Sequence, residues 1–210
     1  MPRPEIQAFS QEREISYLVH FTRLENLPSI LQHGLFPVSD HQALRNHPII
    51  NDEHRLDGHL DGTSLSISFP NYQMFYKYRQ TPNTEWVVLG IDPSVLWTKD
   101  CGFCRRNAAT NEISQQPLDN LRTLAAFQGM FDEVEGLDTR QEQKLKTSDS
   151  TDPQAEVLVF DKIAPNLIFG VAFNSQLTRD NHAAICGSRN LIVEPPNGGL
   201  FASRPFVRLY

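Results

Sequence analysis

The alternation of hydrophobic and polar positions predicts a series of short strands. Residues 15–21 are rich in β-branched and aromatic side chains, and residues 86–91 form a nearly continuous apolar run. In residues 62–69 small hydroxyl side chains alternate with apolar ones, which predicts a strand with one polar face and one buried face. Apolar runs predict further strands over residues 155–160, 167–173 and 203–210.

Helical spacing of apolar residues is confined to short segments. One predicted helix begins near Asn26, has Pro28 in its first turn and ends at Gly34, a residue suited to a left-handed C-cap. Two more are predicted within residues 118–131 and 176–184. Short strands, short helices and an apparent absence of parallel crossovers favour an α+β fold whose sheet is split and mostly antiparallel, with short flanking helices.

The chain of 210 residues has the length of a single domain, which we expect to span residues 1–210. Residues 40–61 are polar and contain four histidines, which is typical of a long functional loop or a helical lid. Residues 132–152 are the least apolar stretch. We interpret them as a long, exposed acidic loop that precedes the strand of Glu156, and not as a domain boundary.

The net charge of −6 argues against sequence-blind coating of duplex nucleic acid or binding to an anionic membrane. No stretch approaches the roughly 20 apolar residues that span a bilayer, and residues 1–10 contain no signal-peptide core. With only three cysteines, we expect reduced thiols and a cytoplasmic location. Cys101 and Cys104 could join His182 and Cys186 around a zinc ion, but a single knuckle is weak evidence, and we predict no metal site.

Several residues are candidates for chemistry, each with a structural alternative. Glu156 opens an apolar strand, where a carboxylate can meet a ligand or merely face solvent. His20, at the end of the first strand, could orient a ribose or fill a structural role, and Arg55 could bind phosphate or form a surface ion pair. The alternating serines Ser64, Ser66 and Ser68 could face a nucleotide or only solvent. The segment 72–79 combines aromatic and basic residues, as in single-strand binders, although core packing explains half of it.

Five of these segments together resemble the DarT family of nucleic-acid ADP-ribosyltransferase toxins. They are Leu18-Val-His20-Phe-Thr22, the segment from Asn26 to Gly34, Arg55-Leu-Asp-Gly58, the strand from Ser64 through Asn71 to Met74, and Asp152-Pro-Gln-Ala-Glu156. The resemblance covers residues 17–173. Because this chain has a serine ladder and Pro70-Asn71 where thymine-modifying members have an aromatic strand, it looks like the guanine-modifying branch.

The resemblance implies a site for each part of the reaction. Glu156 and Arg55 would be catalytic, with Arg55 also approaching the phosphates of NAD, the ADP-ribose donor. The remaining cofactor-binding residues would be His20, Phe21, Thr22, Ser64 and Ser66. Single-stranded DNA would contact Asn71, Tyr72, Met74, Arg79, Arg105, Arg106, Asn107 and Gln154. A macrodomain-type antitoxin would be the partner, and the modification would block replication in a toxin–antitoxin or anti-phage system.

Two alternatives remain open on the sequence. The same chemistry could act on RNA, or the chain could be a non-catalytic NAD- or nucleotide-binding module. Since the acidic residues crowd into residues 132–152, basic patches at residues 77–79, 105–106 and 189–208 are expected to remain available to a short single strand. We therefore expect weak, salt-sensitive affinity for the acceptor.

Overall fold

The structure, a computed structural model, describes residues 2–43, 49, 59–195 and 197–209. Its strands are β1 (Leu18–Arg23), β2 (Thr63–Ile67), β3 (Trp86–Ile91), β4 (Cys101–Cys104), β5 (Glu156–Val159), β6 (Ile168–Phe173) and β7 (Asn190–Val193). They form one sheet in the order β4-β5-β2-β1-β3-β6-β7. Neighbouring strands are antiparallel except for the parallel pair β6 and β7. The predicted α+β fold with a mostly antiparallel sheet is confirmed.

The sheet has a narrow junction between β1 and β2. β1 pairs along its whole length with β3, but only Leu18 and Val19 pair with β2, opposite Ile67 and Ser66. One half of the sheet is therefore β4-β5-β2 and the other is β1-β3-β6-β7. The split expected from the sequence lies here, because backbone pairing across the junction stops after two residues.

Short helices surround the sheet. They are α1 (Pro4–Glu12), α2 (Leu27–His33), α3 (Tyr72–Arg79), α4 (Val95–Thr98), α5 (Asn111–Ser114), α6 (Leu118–Leu121), α7 (Leu124–Gly129), α8 (Gln176–Cys186) and α9 (Arg204–Leu209). Single 3-10 turns lie at Leu24–Asn26, Val38–Ala43, Pro165–Leu167 and Gly199–Phe201. Among the described residues, none of the helices has the length and apolar character needed to cross a membrane.

The two faces of the sheet are packed differently, because side chains alternate between faces along each strand. The first face carries Leu18, Leu65 and Val157 and packs against helices α1, α2, α7 and α8 in the main core. The second face carries two smaller apolar clusters. One contains Val19 with Phe75, Trp86, Val88, Ala172 and Phe201, and the other contains Cys104 with Ala108, Ile113, Leu121 and Leu158.

Three predicted elements differ from the structure. Residues 203–210 were expected to form a strand, but Arg204–Leu209 is a helix. Its two arginines lie four residues apart, on one face of the helix, and both bond to the segment before β5. The four-residue strands β4 and β7 were not predicted, because neither is long enough to show alternation. β7 pairs parallel with β6 after helix α8, so a parallel crossover is present where none was expected.

The predicted helix over residues 118–131 is two helices, α6 and α7. The break lies at Arg122 and Thr123, and the Thr123 side chain caps α7 by accepting a hydrogen bond from the backbone N–H of Ala126 at 3.1 Å. The helix α2 ends at Gly34 as predicted, with the left-handed φ of 97°.

We expect Gly34→Ala to lower the free energy of unfolding by about 2 kcal/mol or more. A Cβ at residue 34 would collide with the carbonyl oxygen of Ile163, whose backbone pairs with that of Leu35, and alanine is also strained at this φ. Gly136→Ala is the matched control, because Gly136 has a φ of 86° and open space around its missing side chain. Urea unfolding of both variants separates the collision from the φ strain. Equal losses of stability in the two variants would contradict the collision.

Candidate active site

Glu156 is the first residue of β5 and lies in a polar gap on the second face of the sheet. It pairs with Cys104 of one apolar cluster, and the β2–β5 register places Ser66 opposite it on the other side. Ser66 in turn pairs with Val19 of the second apolar cluster. Glu156 is only 6% exposed. The alternative that it is a solvent-facing strand residue is therefore wrong.

The loop after β4 supplies hydrogen bonds to this buried carboxylate. The Ala108 backbone N–H donates to Oε2 at 3.1 Å, and the Asn107 side-chain amide donates to Oε1 at 3.3 Å. Asn107 is itself fixed, since its Oδ1 accepts from the Ala109 N–H and its carbonyl accepts from the Thr110 hydroxyl, both at 2.9 Å. A buried carboxylate needs such donors to remain charged. They also fix the direction in which its oxygens can meet a ligand.

Asn107 therefore lies against Glu156, which the sequence did not indicate. It was expected to contact nucleic acid, and that role stays a prediction. Its observed contact is that of a positioning residue, which holds the carboxylate through its side-chain amide. No spacing in the sequence reveals this contact, because the two residues meet only through the pairing of β4 with β5.

Asn107→Asp should move the acid limb of the pH–rate profile to higher pH than in Asn107→Ala, because it places a second carboxylate beside Glu156. The variant keeps the acceptor for the Ala109 N–H, but replaces the amide donor with a second carboxylate oxygen beside Glu156. Like-charge repulsion then favours protonation. Asn107→Ala, which adds no charge, should lower kcat without that shift. A profile of Asn107→Asp that superimposes on that of Asn107→Ala would contradict the contact.

The His20 side chain of β1 contacts β2 just beyond the point where the backbone pairing of these two strands ends. Its Nδ1 lies 2.9 Å from the carbonyl oxygen of Ser64. A carbonyl can only accept, so Nδ1 carries the proton, and in the neutral ring Nε2 is the acceptor. The structure thus brings His20 and Ser64, two of the predicted cofactor-binding residues, together at the junction of the two half-sheets.

The neighbouring residues of β1 have different surroundings. Phe21 stacks on Phe75 of α3 at a ring distance of 4.6 Å, within an aromatic group that includes Tyr78 and Trp86. Thr22 is buried, and its hydroxyl accepts from the Asn26 amide at 3.1 Å.

Asn26 also holds Ile49. The Asn26 amide group donates to the Ile49 carbonyl and accepts from the Ile49 N–H, both at 2.9 Å. Sequence reasoning treated Asn26 only as the start of a helix. The structure gives it a second role, the tethering of the segment between α2 and β2. Arg55, the other predicted catalytic residue, belongs to that segment and lies outside the described residues.

Ser66 and Asn71 form the far side of the polar gap. Ser66 Oγ accepts from the Asn71 N–H at 3.3 Å, and Asn71 Oδ1 caps α3 by accepting from the Met74 N–H at 3.1 Å. Asn71 is 2% exposed, and its Nδ2 has no hydrogen-bond partner among the described residues. A buried amide donor without a partner costs roughly 1–3 kcal/mol. Such a donor beside Ser66 suits a substrate that offers a carbonyl or hydroxyl acceptor.

The basic residues predicted to contact nucleic acid divide into two groups. Arg79 is half-buried in internal contacts: it donates to the Phe201 carbonyl at 2.6 Å and lies over the Phe75 ring. Burial lowers its pKa. Arg105 and Arg106 remain partly exposed near Glu112, at 3.9 and 3.5 Å. Tyr72 and Met74, on α3, are half-buried. No contact with nucleic acid is established for any of them.

The expected basic patch within residues 189–208 is wrong. Arg189 donates to the backbone carbonyls of Ile168, Cys186 and Pro165. Arg204 is 3% exposed, and Arg208 forms a bidentate ion pair with the fully buried Asp149. These guanidinium groups are engaged in internal hydrogen bonds, so they do not form the exposed basic patch that was expected.

The acidic loop is also less exposed than expected. Residues 149–152 are buried, and arginines hold the loop from both sides. Arg140 donates to the carbonyls of Asp149 and Lys146, and Arg204 donates to those of Ser150 and Thr151. Gln154, half-buried, follows a turn in which its N–H donates to Asp152 Oδ1 at 2.7 Å. The approach to Glu156 is therefore a fixed turn.

The cysteines do not form the zinc site weighed above. Cys101 packs in the main core on the first face of the sheet and Cys104 in a cluster on the second face, so the two thiols point apart. Burial raises the pKa of Cys101 to about 12, which keeps it protonated. Among the described residues, no group of three histidine, cysteine or acidic side chains is placed to hold a metal ion.

Comparison with known proteins gives one family and several similar structures. The model of the DarT family, described as ssDNA thymidine ADP-ribosyltransferase, matches residues 19–195. A search of curated protein sequences gave no significant match.

The similar structures share the fold at 15% identity. Thermus sp. 2.9 DarT in complex with NAD+ has a TM-score of 0.54, with 86% of this chain and 96% of that chain covered. The same protein with ADP-ribosylated ssDNA has a TM-score of 0.57, with coverage of 86% and 95%. Thermosipho africanus DarTG in complex with ADP-ribose has a TM-score of 0.55, and the match covers 89% of this chain but only 51% of that longer one.

Proposed function

The chain belongs to the DarT family of ssDNA thymidine ADP-ribosyltransferases, and we propose that it transfers ADP-ribose from NAD to a base in single-stranded DNA. The observation that carries the proposal is the buried carboxylate of Glu156, held by two donors in a polar gap beside the junction of the half-sheets. The Thermus structures with NAD+ and with ADP-ribosylated ssDNA support the choice of donor and acceptor.

The residues in the polar gap beside Glu156, together with those at the junction of the two half-sheets, fit a dinucleotide donor. His20 and Ser64 meet where the strands stop pairing, and the buried Nδ2 of Asn71 has no hydrogen-bond partner in the part of the chain that the structure describes. We propose that His20, Phe21, Thr22, Ser64 and Ser66 line the donor site, and that Arg55 binds its phosphates. His20 Nε2 can accept a hydrogen bond from a ribose hydroxyl, because Nδ1 is fixed as the donor to Ser64.

Glu156 would promote the transfer in two ways. Its carboxylate accepts a hydrogen bond from the ribose 2′-hydroxyl and stabilises positive charge at the anomeric carbon as the bond to nicotinamide breaks. It then takes the proton that leaves the attacking base nitrogen as the new bond to the anomeric carbon forms. Asn107 and the Ala108 N–H keep the carboxylate aimed while it does so.

Thymidine is the base that we propose as the acceptor. The serine ladder suggested guanine, but the matching family description names thymidine, and nothing in the comparisons favours guanine. We propose that contacts to the acceptor come from the loop before Glu156, with Gln154 at its end, and from the predicted residues Asn71, Tyr72, Met74, Arg105, Arg106 and Asn107. Arg79 is the weakest of the predicted contacts, since its guanidinium is already bonded.

Labelled NAD incubated with matched oligonucleotides tests the proposal. We expect label on single-stranded DNA, and mass spectrometry of the digested product should place ADP-ribose on thymidine. Label on guanosine would show that the modified base is guanine and not thymine. Label on matched RNA alone would show that the acceptor is RNA and not DNA. Label on protein alone, or binding of NAD without transfer, would overturn the proposal in favour of a protein modifier or a nucleotide-binding module.

The biological setting is proposed from the same relatives. The DarTG complex with ADP-ribose supports a macrodomain-type antitoxin as the partner of this chain, in a toxin–antitoxin or anti-phage system located in the cytoplasm. Because this chain spans about half of that DarTG chain, the partner must be tested directly. Co-expression should relieve toxicity, and incubation with the antitoxin should remove the label from modified DNA.

A further inference from the structure

A cavity of about 450 Å³ opens on the second face of the sheet, next to the candidate active site. Its walls come from Tyr17 and the residues before it, from Ser68 after β2, from residues 146–148 of the acidic loop, and from Arg208 of α9. The volume lies within the roughly 300–1,000 Å³ of sites that hold small organic ligands. Apart from Ser68, which belongs to the serine ladder, none of the residues predicted to bind NAD or nucleic acid lines it.

The cavity lies one row of side chains from Glu156. Ser68 is two residues beyond Ser66, which lies opposite Glu156, and Tyr17 is two residues before Val19, which pairs with Ser66. Tyr17 packs against the Val19 cluster of the second face, and the Ser68 N–H donates to the Tyr17 carbonyl at 3.3 Å, so both residues lie directly beyond the pair of Val19 with Ser66. Two residues of extended chain span roughly 7 Å. The loop residues of the wall also lead directly into β5. A ligand in the cavity would therefore lie beside whatever reacts at Glu156.

The charges of the cavity nearly cancel. Arg208 is neutralised by Asp149, with two hydrogen bonds of 2.7 Å, and the remaining charged side chains are Lys146 and Glu14. Among the described residues, the Lys146 ammonium group has no ion-pair partner, and it is exposed at the rim. A nearly neutral cavity does not select a multiply charged anion such as free phosphate, but it admits a nucleoside that carries one phosphodiester charge.

The interior offers hydrogen bonds from hydroxyl groups. Ser68, whose φ is 59°, donates a hydrogen bond from its hydroxyl to the Ser148 carbonyl at 3.4 Å, and Ser148 also lines the cavity. The Tyr17 hydroxyl has no hydrogen-bond partner in the part of the chain that the structure describes. Burial raises its pKa, so it keeps its proton and can donate at neutral pH. Hydroxyls that both donate and accept suit the mixed edge of a nucleobase.

We propose that this cavity is a second nucleotide subsite, which takes one unpaired nucleotide of the acceptor strand next to the nucleotide that is modified. The inference rests on the proposed function and adds to it a specific set of residues. Lys146 meets the phosphodiester at the rim, and Tyr17, Ser68 and Ser148 meet the base and sugar inside. The subsite sets which sequence around the modified base is preferred.

Lys146→Gln tests the rim contact, with Lys144→Gln as the matched control. Both lysines are exposed, belong to the same loop and lose the same charge, but only Lys146 lines the cavity. Lys146→Gln should raise the KM for the oligonucleotide on the order of fivefold, with kcat and the KM for NAD within twofold of wild type. The slope of log affinity against log salt should fall by about 0.7, the change for one single-strand phosphate contact. Lys144→Gln should change neither quantity.

Oligonucleotides with an abasic nucleotide on the 5′ or 3′ side of the modified base test the interior. On one side the abasic substitution should raise the KM on the order of fivefold, and Tyr17→Phe should raise it for the intact oligonucleotide but not for that abasic one. This result would show that the abasic substitution in the oligonucleotide and Tyr17→Phe in the protein remove the same contact, the one between the flanking base and the Tyr17 hydroxyl.

Three results would overturn the subsite. In the first, Lys146→Gln and Lys144→Gln have the same KM for the oligonucleotide and the same salt slope, and an abasic nucleotide on either side of the modified base leaves the KM unchanged. The second is a rise in the KM for NAD instead, which would place the adenosine of the donor in the cavity. The third is a wild-type protein that labels no oligonucleotide, which removes the proposed function and the subsite together. Labelling by wild type with indifferent variants removes the subsite alone.

Discussion

Glu156→Gln is expected to lower the rate of ADP-ribose transfer about 10³-fold while the protein remains folded. Glutamine keeps the shape of the side chain but carries no negative charge, so it neither stabilises positive charge at the anomeric carbon nor accepts the base proton. One of the two donors to the carboxylate also loses its acceptor, because the amide group presents an N–H on one side. Single-turnover labelling of an oligonucleotide with saturating NAD measures the effect.

Glu135→Gln is the control for this variant. Glu135 is exposed in the acidic loop, and among the described residues it forms a hydrogen bond through its backbone carbonyl, which accepts from Arg106, and none through its side chain, so the same change of charge should leave the rate within twofold. The Tm of Glu156→Gln, measured by thermal unfolding, should lie within a few degrees of that of the wild type. Retention of more than a tenth of the wild-type rate would show that Glu156 is not the catalytic carboxylate.

Arg208→Met should lower the free energy of unfolding by about 3–5 kcal/mol, because it leaves the charge of Asp149 buried without its partner. Asp149 is fully buried, and Arg208 donates two hydrogen bonds of 2.7 Å to it. Asp149→Asn combined with Arg208→Met removes both charges, and this double variant should be more stable than Arg208→Met alone. Urea unfolding of Asp149→Asn, Arg208→Met and the double variant completes the double-mutant cycle.

Arg122→Met provides a matched comparison at the surface. Arg122 also bonds an aspartate at 2.7 Å, but both side chains of its pair with Asp100 are a third or more exposed. Such pairs contribute about 0–1 kcal/mol. If Arg122→Met and Arg208→Met cost the same, burial of the Asp149 pair would not be the source of its stability.

The ion pair of Asp149 with Arg208 also makes the free energy of unfolding depend on pH. Burial acts to raise the pKa of Asp149, but hydrogen bonds from Arg208 and the Lys146 N–H, with the charges of Arg208 and Arg204, outweigh it and hold the pKa below its ordinary value. The folded state then binds this proton more weakly than the unfolded chain. The pair therefore stabilises the fold above about pH 3.9, and this stability is lost as the pH falls through the lower pKa of the folded state.

Much of the fold follows from local patterns in the sequence. The bounds of β3 match the predicted apolar run, and α2 begins and ends where Pro28 and Gly34 direct. Glu156 stands out because a carboxylate interrupts the start of an apolar strand. These features depend on the conformational preferences of neighbouring residues, which a sequence displays directly.

The helix α9 and the acidic loop were misjudged for one physical reason. A sequence rich in charge indicates exposure only when the charges have no partners inside the fold. Here they have partners far along the chain: Arg208 pairs with the carboxylate of Asp149, 59 positions away, and Arg204 donates to the backbone carbonyl of Ser150, 54 positions away. Paired charges with full hydrogen bonding can be buried. The basic patch expected at the end of the chain disappears for the same reason.

The sequence by itself determined five of the seven described strands, the mostly antiparallel sheet and the carboxylate that we propose as catalytic. Only the tertiary structure decided what surrounds that carboxylate. Asn107 and Ala108 reach Glu156 because β4 pairs with β5, and the Ala108 contact joins residues 48 positions apart. Strand register fixes which distant residues share a face, and no local preference encodes it. The net charge of −6 is therefore a poor guide to the site, since it does not tell which acidic and basic side chains are paired inside the protein.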